Sequence, residues 1–288
     1  MNRRRVKGFV LIIFLAFCLN AFGQLQEKFV TIFGAKIRYI EAGENNQQKV
    51  ILLHGLGSSA EAWQMNVRRL SEKFHVFIPD QVGFGKSDKP FLKYRVATYV
   101  DFLDKFMSEL KIEKAHIIGN SMGGWIAALM ALKYPDKVEK LVLVAPAGLL
   151  PERIDEMRVY QLNNSTRDEI RDNMKRIFAS PLLQNNEALV DQFLTQRVLF
   201  NDGYTISSLI ESIRRKEDFL NGKLNQIKKQ TLIIWGRQDG LLPVSDAYVF
   251  NKEIASSKLV IFDNCGHVPQ LEKAEDFNRL VEEFLISK

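Results

Sequence analysis

The apolar residues of this chain follow two rhythms. Val50-Ile-Leu-Leu53 is a continuous apolar run, the pattern of a strand buried on both faces. Val76-Phe-Ile78, His116-Ile-Ile118, Leu141-Val-Leu-Val-Ala145, Thr231-Leu-Ile-Ile-Trp235 and Leu259-Val-Ile-Phe262 repeat it. Between these runs apolar residues recur at helical spacing. One such stretch follows Ser59 and reaches about Lys73, and another spans Thr98 to Leu110 with Val100, Leu103, Phe106, Met107 and Leu110 on one face. Trp125–Lys133 and Ala274–Ile286 complete the helical set. Ahead of all of them, Glu27–Phe33 and Lys36–Glu41 alternate around Gly34-Ala35, which predicts a β-hairpin. Strands alternating with helices predict an α/β fold with a mostly parallel, doubly wound sheet. Function is then expected at the C-terminal ends of the strands.

The alternation stops near Ala147. From Leu149 to about Lys223 there are only charged, amphipathic helical stretches, broken near Ser180-Pro181 and Asn201-Asp202-Gly203. We read residues 149–223 as a helical cap inserted into a core formed by residues 24–148 and 224–288. No repeat of 20 to 50 residues and no low-complexity segment is visible.

Residues 1–23 are of another kind. Arg3, Arg4, Arg5 and Lys7 precede the apolar run Phe9–Leu19, and Ala21 and Gly23 occupy the −3 and −1 positions of a cut after Gly23. That is the layout of a secretory signal peptide, with an apolar core short for a membrane span. The expected localisation is therefore exported, periplasmic or secreted, with membrane anchoring if the signal is retained. Removing the segment takes four positive charges from a formal +6 and no negative ones, leaving +2. The mature chain then offers no electrostatic case for nucleic acid. Cys18 leaves with the signal and Cys265 stays alone, so no internal disulfide is expected. No C-x-x-C or H-E-x-x-H occurs, and neither metal nor cofactor is expected.

The chemistry centres on Gly119-Asn120-Ser121-Met122-Gly123, a G-x-S-x-G pentapeptide between a strand and a helix. This is the setting of a nucleophile elbow, a tight turn that exposes a serine Oγ above a helix N-terminus. A serine nucleophile needs a base, and the base an orienting acid. The loop after Trp235 supplies Asp239, and the loop after Phe262 supplies His267; Asp263, four residues before His267, is a rival acid. Chain order is thus Ser121, Asp239, His267. The loop His54-Gly55-Leu56-Gly57 follows the first buried strand, where the backbone N–H of Leu56 can join that of Met122 as an oxyanion hole. His54 is expected to hold that loop rather than move protons, and His75 and His116, at strand starts, to be structural.

These motifs resemble the α/β-hydrolase superfamily over residues 27–288. They are similar to the branch holding carboxylesterases, monoacylglycerol-type lipases and meta-cleavage-product carbon–carbon hydrolases. The resemblance rests on His54–Gly57, Pro79-Asp-Gln-Val-Gly-Phe-Gly-Lys-Ser87, Gly119–Gly124, Gly236-Arg-Gln-Asp239 and Gly266-His267. It implies the α/β-hydrolase fold and a serine hydrolase with the triad above. Relatives with an aspartate nucleophile, the haloalkane dehalogenases and epoxide hydrolases, are set aside by Ser121. His54, Gly55, Asn120, Arg197 and Val268 are the candidate substrate-contacting residues.

The expected reaction is hydrolysis of short to medium acyl esters or monoacylglycerol-like lipids, so the expected partners are a small ester and a lipid or membrane surface. Two alternatives stand beside it. Asn120 and the run from Gly266 to Arg279 resemble the carbon–carbon hydrolases, and Arg197 stands where their substrate-binding arginine would be. Against that, Val268 replaces their usual tryptophan, and Gly57-Ser-Ser lacks their usual Gly-Pro-Gly. For Arg197, a solvated helix face is the plainer expectation. The other alternative is a non-catalytic ligand receptor on the same scaffold. The pattern leaves the oligomeric state open.

Overall fold

The computed structural model describes residues 26–152 and 158–287. The expected signal peptide, residues 1–23, lies outside them. Eight strands are β1 (Gln26–Ile32), β2 (Ala35–Ala42), β3 (Lys49–Leu53), β4 (His75–Pro79), β5 (Ala115–Asn120), β6 (Val138–Val144), β7 (Thr231–Gly236) and β8 (Ser257–Phe262). The core helices are α1 (Gln64–Ser71), α2 (Val96–Glu109) and α3 (Met122–Lys133). Between β6 and β7 lie α4 (Arg167–Ile177), α5 (Pro181–Gln184), α6 (Glu187–Phe200) and α7 (Gly203–Arg214). After β7 come α8 (Ser245–Glu253), the single turn α9 (Pro269–Glu272) and α10 (Ala274–Ile286).

One sheet runs in the order β1-β2-β4-β3-β5-β6-β7-β8. The hairpin β1/β2 joins antiparallel through β2 to β4, and all other neighbours are parallel. This is the α/β architecture that the apolar runs predict, and its physical reason is burial on both faces. Ile51, Leu53, Ile117, Leu141, Leu143, Ile233 and Trp235 share one apolar cluster with residues of α2, α3 and α8. Their alternate neighbours Val50, Leu52, Ile118, Val142, Val144, Leu232 and Ile234 share the other with residues of α1 and α10. Helix α3 is apolar on every side and buried almost throughout, from Met122 to Ala131, as a helix enclosed by sheet and neighbours must be.

Residues 149–223 contain no strand among those described. Helix α4 starts at a capping box: Thr166 accepts from Glu169 N at 3.3 Å, and Glu169 Oε2 accepts from Thr166 N at 3.0 Å. The expected breaks fall at helix ends. Pro181 begins α5, and Asn201 closes α6 in the left-handed conformation at φ 49°. The segment is not uniform. Ile206, Leu209, Ile210 and Ile213 of α7 belong to the sheet's own core, whereas α4 and α6 meet in a separate cluster of Ile170, Met174, Phe178 and Val190. The α4/α6 cluster has four buried residues with partly buried neighbours such as Phe193, Leu194 and Val268 around them, and it is separate from the core that holds α7. The placement of α4 and α6 also depends on contacts with the loops beneath them.

Candidate active site

Ser121 sits between β5 and α3 at φ 56° and ψ −119°, a conformation that costs energy for any residue with a Cβ. The surroundings hold it there. Ser121 N donates to Val144 O at 2.9 Å, and Ser121 O accepts from Trp125 N at 3.1 Å and Ala147 N at 3.0 Å. The flanking glycines are needed for close approach: a Cβ on Gly119 would collide with the Gly123 carbonyl, and one on Gly123 with the Leu53 carbonyl. Met122 opens α3, so its N–H lies among those that helical geometry leaves without an intrahelical acceptor.

The histidine and acid expected from separate loops meet. His267 Nδ1 lies 2.7 Å from Asp239 Oδ2, with Asp239 wholly buried and His267 nearly so. The other oxygen, Asp239 Oδ1, accepts from Leu241 N at 2.8 Å and Leu242 N at 3.0 Å, which fixes the carboxylate's orientation. The rival Asp263 is 69% exposed and paired with Arg237, and the carboxylate beside His267 is that of Asp239. Asp246, at the start of α8, has its carboxyl pushed up to about 6 by burial and by the charge of Asp239.

The loop after β3 closes on the serine. A Cβ placed on Gly55 would stand 3.2 Å from Ser121 Cβ and 3.7 Å from Ser121 Oγ. His54 holds this loop from inside. Its Nδ1 donates to Gly55 O at 2.8 Å and its Nε2 accepts from Gln81 N at 3.0 Å, while Gln81 Nε2 donates to His54 O at 2.7 Å. Burial pushes the imidazole's pKa down, so His54 is held neutral. With both ring nitrogens committed and no exposed surface, His54 is corrected from a substrate contact to a support of the loop.

A strained serine elbow, a buried Asp–His pair and a loop closing on the serine, all at the C-terminal edge of a parallel sheet, call for comparison with known proteins. Residues 49–274 match the family described as alpha/beta hydrolase fold. The chain belongs to that family. This alpha/beta hydrolase is 29% identical to the 2-hydroxy-6-oxo-6-phenylhexa-2,4-dienoate hydrolase of Comamonas testosteroni, over 92% of this chain and 96% of the relative. Among solved structures it is similar to a meta-cleavage product hydrolase from Pseudomonas fluorescens, at TM-score 0.81 and 30% identity over 90% of this chain and 97% of the other. It is also similar to a bacterial membrane phospholipase A, at TM-score 0.82 and 29% identity over 96% of this chain and 90% of the other.

Three further candidate residues are placed by the structure. Asn120 is buried, and its amide nitrogen donates to Val144 O and to His267 O, both at 3.1 Å. In this hydrolase that nitrogen ties the serine turn to the histidine loop. Val268 packs against the α4/α6 cluster. Arg197 departs from a solvated helix face: it is 16% exposed and ion-paired with the buried Asp202. Its Nη2 donates to Asn163 Oδ1 at 2.8 Å, and its Nη1 stands 3.6 Å from where a Cβ on Gly57 would be. A cation thus lies beside the loop that closes on Ser121. Cys265 is buried with its thiol pushed up to about 12 by burial, so it stays protonated and unreactive. Among the described residues no three His, Cys, Asp or Glu gather where they could hold a metal ion.

Proposed function

We propose that this hydrolase cleaves a carbon–carbon bond beside a ketone, in a dienol acid whose carboxylate is received by Arg197. The observation that carries this reading is the position of the Arg197 guanidinium against Gly57. It shifts the balance away from the expected ester hydrolysis, and the dienoate hydrolase among the relatives points the same way.

The reaction assigns each group a task. The dienol first shifts to its keto tautomer: the hydroxyl next to the carboxylate loses its proton and the carbon beside the far ketone gains one. Ser121 Oγ then attacks that ketone carbon, and its proton passes to His267, whose imidazolium Asp239 stabilises. The negative charge on the former ketone oxygen is met by the N–H groups of Leu56 and Met122. The bond to the neighbouring carbon then breaks. That carbon keeps the electron pair, which is spread by conjugation toward the oxygen next to the carboxylate, and takes a proton. Water next releases the acyl group from Ser121 as a carboxylic acid. An ester demands less, because its leaving group is an oxygen anion. A carbanion leaving group is far poorer, and a fixed cation at the far end of the conjugated acid lowers its cost. Two of the five N–H donors of Arg197 remain beyond those given to Asp202, Asn163 and Asn164.

Carboxylester hydrolysis is the second reading. It is favoured by the likeness to a membrane phospholipase A over 96% of this chain, and by Asp202, which offsets the charge of Arg197. The apolar run Phe9–Leu19 behind Arg3–Arg5 supports the further proposal that the chain is exported. The test uses purified protein with 2-hydroxy-6-oxo-6-phenylhexa-2,4-dienoate and with p-nitrophenyl butyrate. Benzoate formation with a kcat/KM at least about tenfold above that for the ester is expected; the reverse order would replace this reading with the second.

A further inference from the structure

The end of α4 meets both loops of the Asp–His pair through backbone groups. Arg176 O accepts from Gly240 N at 2.9 Å, next to Asp239, and Ile177 O accepts from His267 N at 2.7 Å. One side chain completes this seam. Glu272, half-buried at the end of α9, accepts through Oε1 from Gly266 N at 2.7 Å, immediately before His267. Its Oε2 accepts from Ala179 N at 2.9 Å and Ser180 N at 3.1 Å, in the link between α4 and α5. There is no slack in the arrangement: a Cβ on Gly266 would collide with Ile177 O and stand 2.9 Å from Glu272 Oε1.

A carboxylate accepting three backbone N–H groups makes stronger bonds than neutral acceptors would. Here its two oxygens hold different parts of the protein. Beside the packing of Val268 on the α4/α6 cluster, this seam fastens the end of α4 to the catalytic loops. We infer that Glu272 is a positioning residue for His267: it locks the histidine loop to residues 176–180, so that the placement of α4 and the aim of the imidazole at Asp239 and Ser121 are set together. The inference rests on reading Ser121, His267 and Asp239 as the triad, but not on the bond that is cleaved. The charged groups around the histidine loop are Asp239, Glu272, Lys273 and the exposed pair Arg237–Asp263, with Asp246 beside Asp239.

The experiment is the rate of covalent labelling of Ser121 by a fluorophosphonate, which needs the base but no particular substrate. It is followed over about pH 5–9 in the full chain and in Glu272→Gln, Glu272→Ala, Ser180→Pro and His267→Ala. Glu272→Gln keeps one oxygen and sets an NH2 against an N–H, so it satisfies only one side of the seam. Labelling by both Glu272 variants should fall about 10- to 100-fold, the scale of a catalytic group misplaced by about 1 Å. The shape of the pH profile of labelling should change with it, because the imidazole loses its fixed approach to Asp239. A lower Tm with unchanged rate and unchanged pH profile would mean a merely structural role and overturns the inference. Ser180→Pro covers the case in which the Glu272 variants do not fold. It removes one N–H that Glu272 accepts, at a φ of −70° that suits proline. A fall of about threefold or more in labelling supports the inference; no change overturns it. His267→Ala separates the two claims. Labelling of that variant at the wild-type rate overturns the triad itself, whereas its loss beside an unchanged Glu272→Gln overturns only the role of Glu272.

Discussion

At the ends of β5, β7 and β8 each candidate catalytic group is held by several short bonds to backbone. Ser121 is pinned through Val144, Trp125 and Ala147, and Asp239 through Leu241 and Leu242. The helices α4 and α6 are held differently. They share a small apolar cluster and two surface ion pairs, Arg167–Asp191 and Arg171–Glu187, meet the catalytic loops at residues 176–180, and leave Leu182, Val198 and Leu199 at least 73% exposed between them and their connections. The loops of the sheet are built to aim a serine at a carbonyl, a task common to many acyl and carbon–carbon substrates. Arg197, the residue proposed to discriminate between those substrates, comes from the α4–α6 side. On the proposed reading, reaction chemistry and substrate choice are assigned to parts of the molecule that are held differently and meet at the end of α4.

The comparison breaks most completely at the serine. Ser121→Ala should lower turnover by at least about 10⁴-fold with the fold unchanged, since only the nucleophile is lost. A rate within about tenfold of wild type, measured on protein with unchanged circular dichroism, would place the nucleophile elsewhere. Next in size is the acid. Asp239→Asn should reduce kcat by about 10³–10⁴ through loss of the correct imidazole orientation. Asp263→Asn removes only an exposed ion pair and should stay within about twofold. Equal effects from the two would undo the assignment of Asp239.

The smallest effect lies in stability. Asp246 binds its proton more tightly in the folded chain, with its pKa raised from 3.8 to about 6. The stability it contributes is complete below its unfolded pKa and is lost as pH rises through about 6, above which the ionised carboxylate faces Asp239. Asp246→Asn should therefore raise Tm by a few degrees, on the order of 2–4 °C, near pH 8, and change it little near pH 4. Thermal melts at the two pH values check the sign.

How much of this was legible in the sequence follows the same division. Val50–Leu53 and Leu141–Val144 read as strands because both faces are buried, leaving no polar alternation to obscure them. Ser121 and Asp239 could be found because each follows such a strand; His267 follows β8, a half-buried edge strand that still reads as an apolar run. Helix α8 escaped notice because it buries only Ala247 and Phe250, too short a stripe to show a period. Helix α6 buries only Val190, so nothing in its pattern told which face Arg197 would occupy. The role of Asn120 and that of Glu272 depend on contacts with backbone far along the chain, at Val144 and His267 for one and at Ala179 and Ser180 for the other. No spacing rule encodes those contacts; only the folded loops bring the partners together.

The central claim is that Arg197, and not the triad, decides the reaction class. It is tested most directly by kcat/KM for the phenyl dienoate and for p-nitrophenyl butyrate, each in wild type and Arg197→Ala. A charge-assisted contact to a carboxylate is worth enough for a loss of about 100-fold on the dienoate, while the ester should change by less than about threefold. Equal losses on both substrates, or no loss on the dienoate, would contradict the account and leave Arg197 as a strut of the cap paired with Asp202.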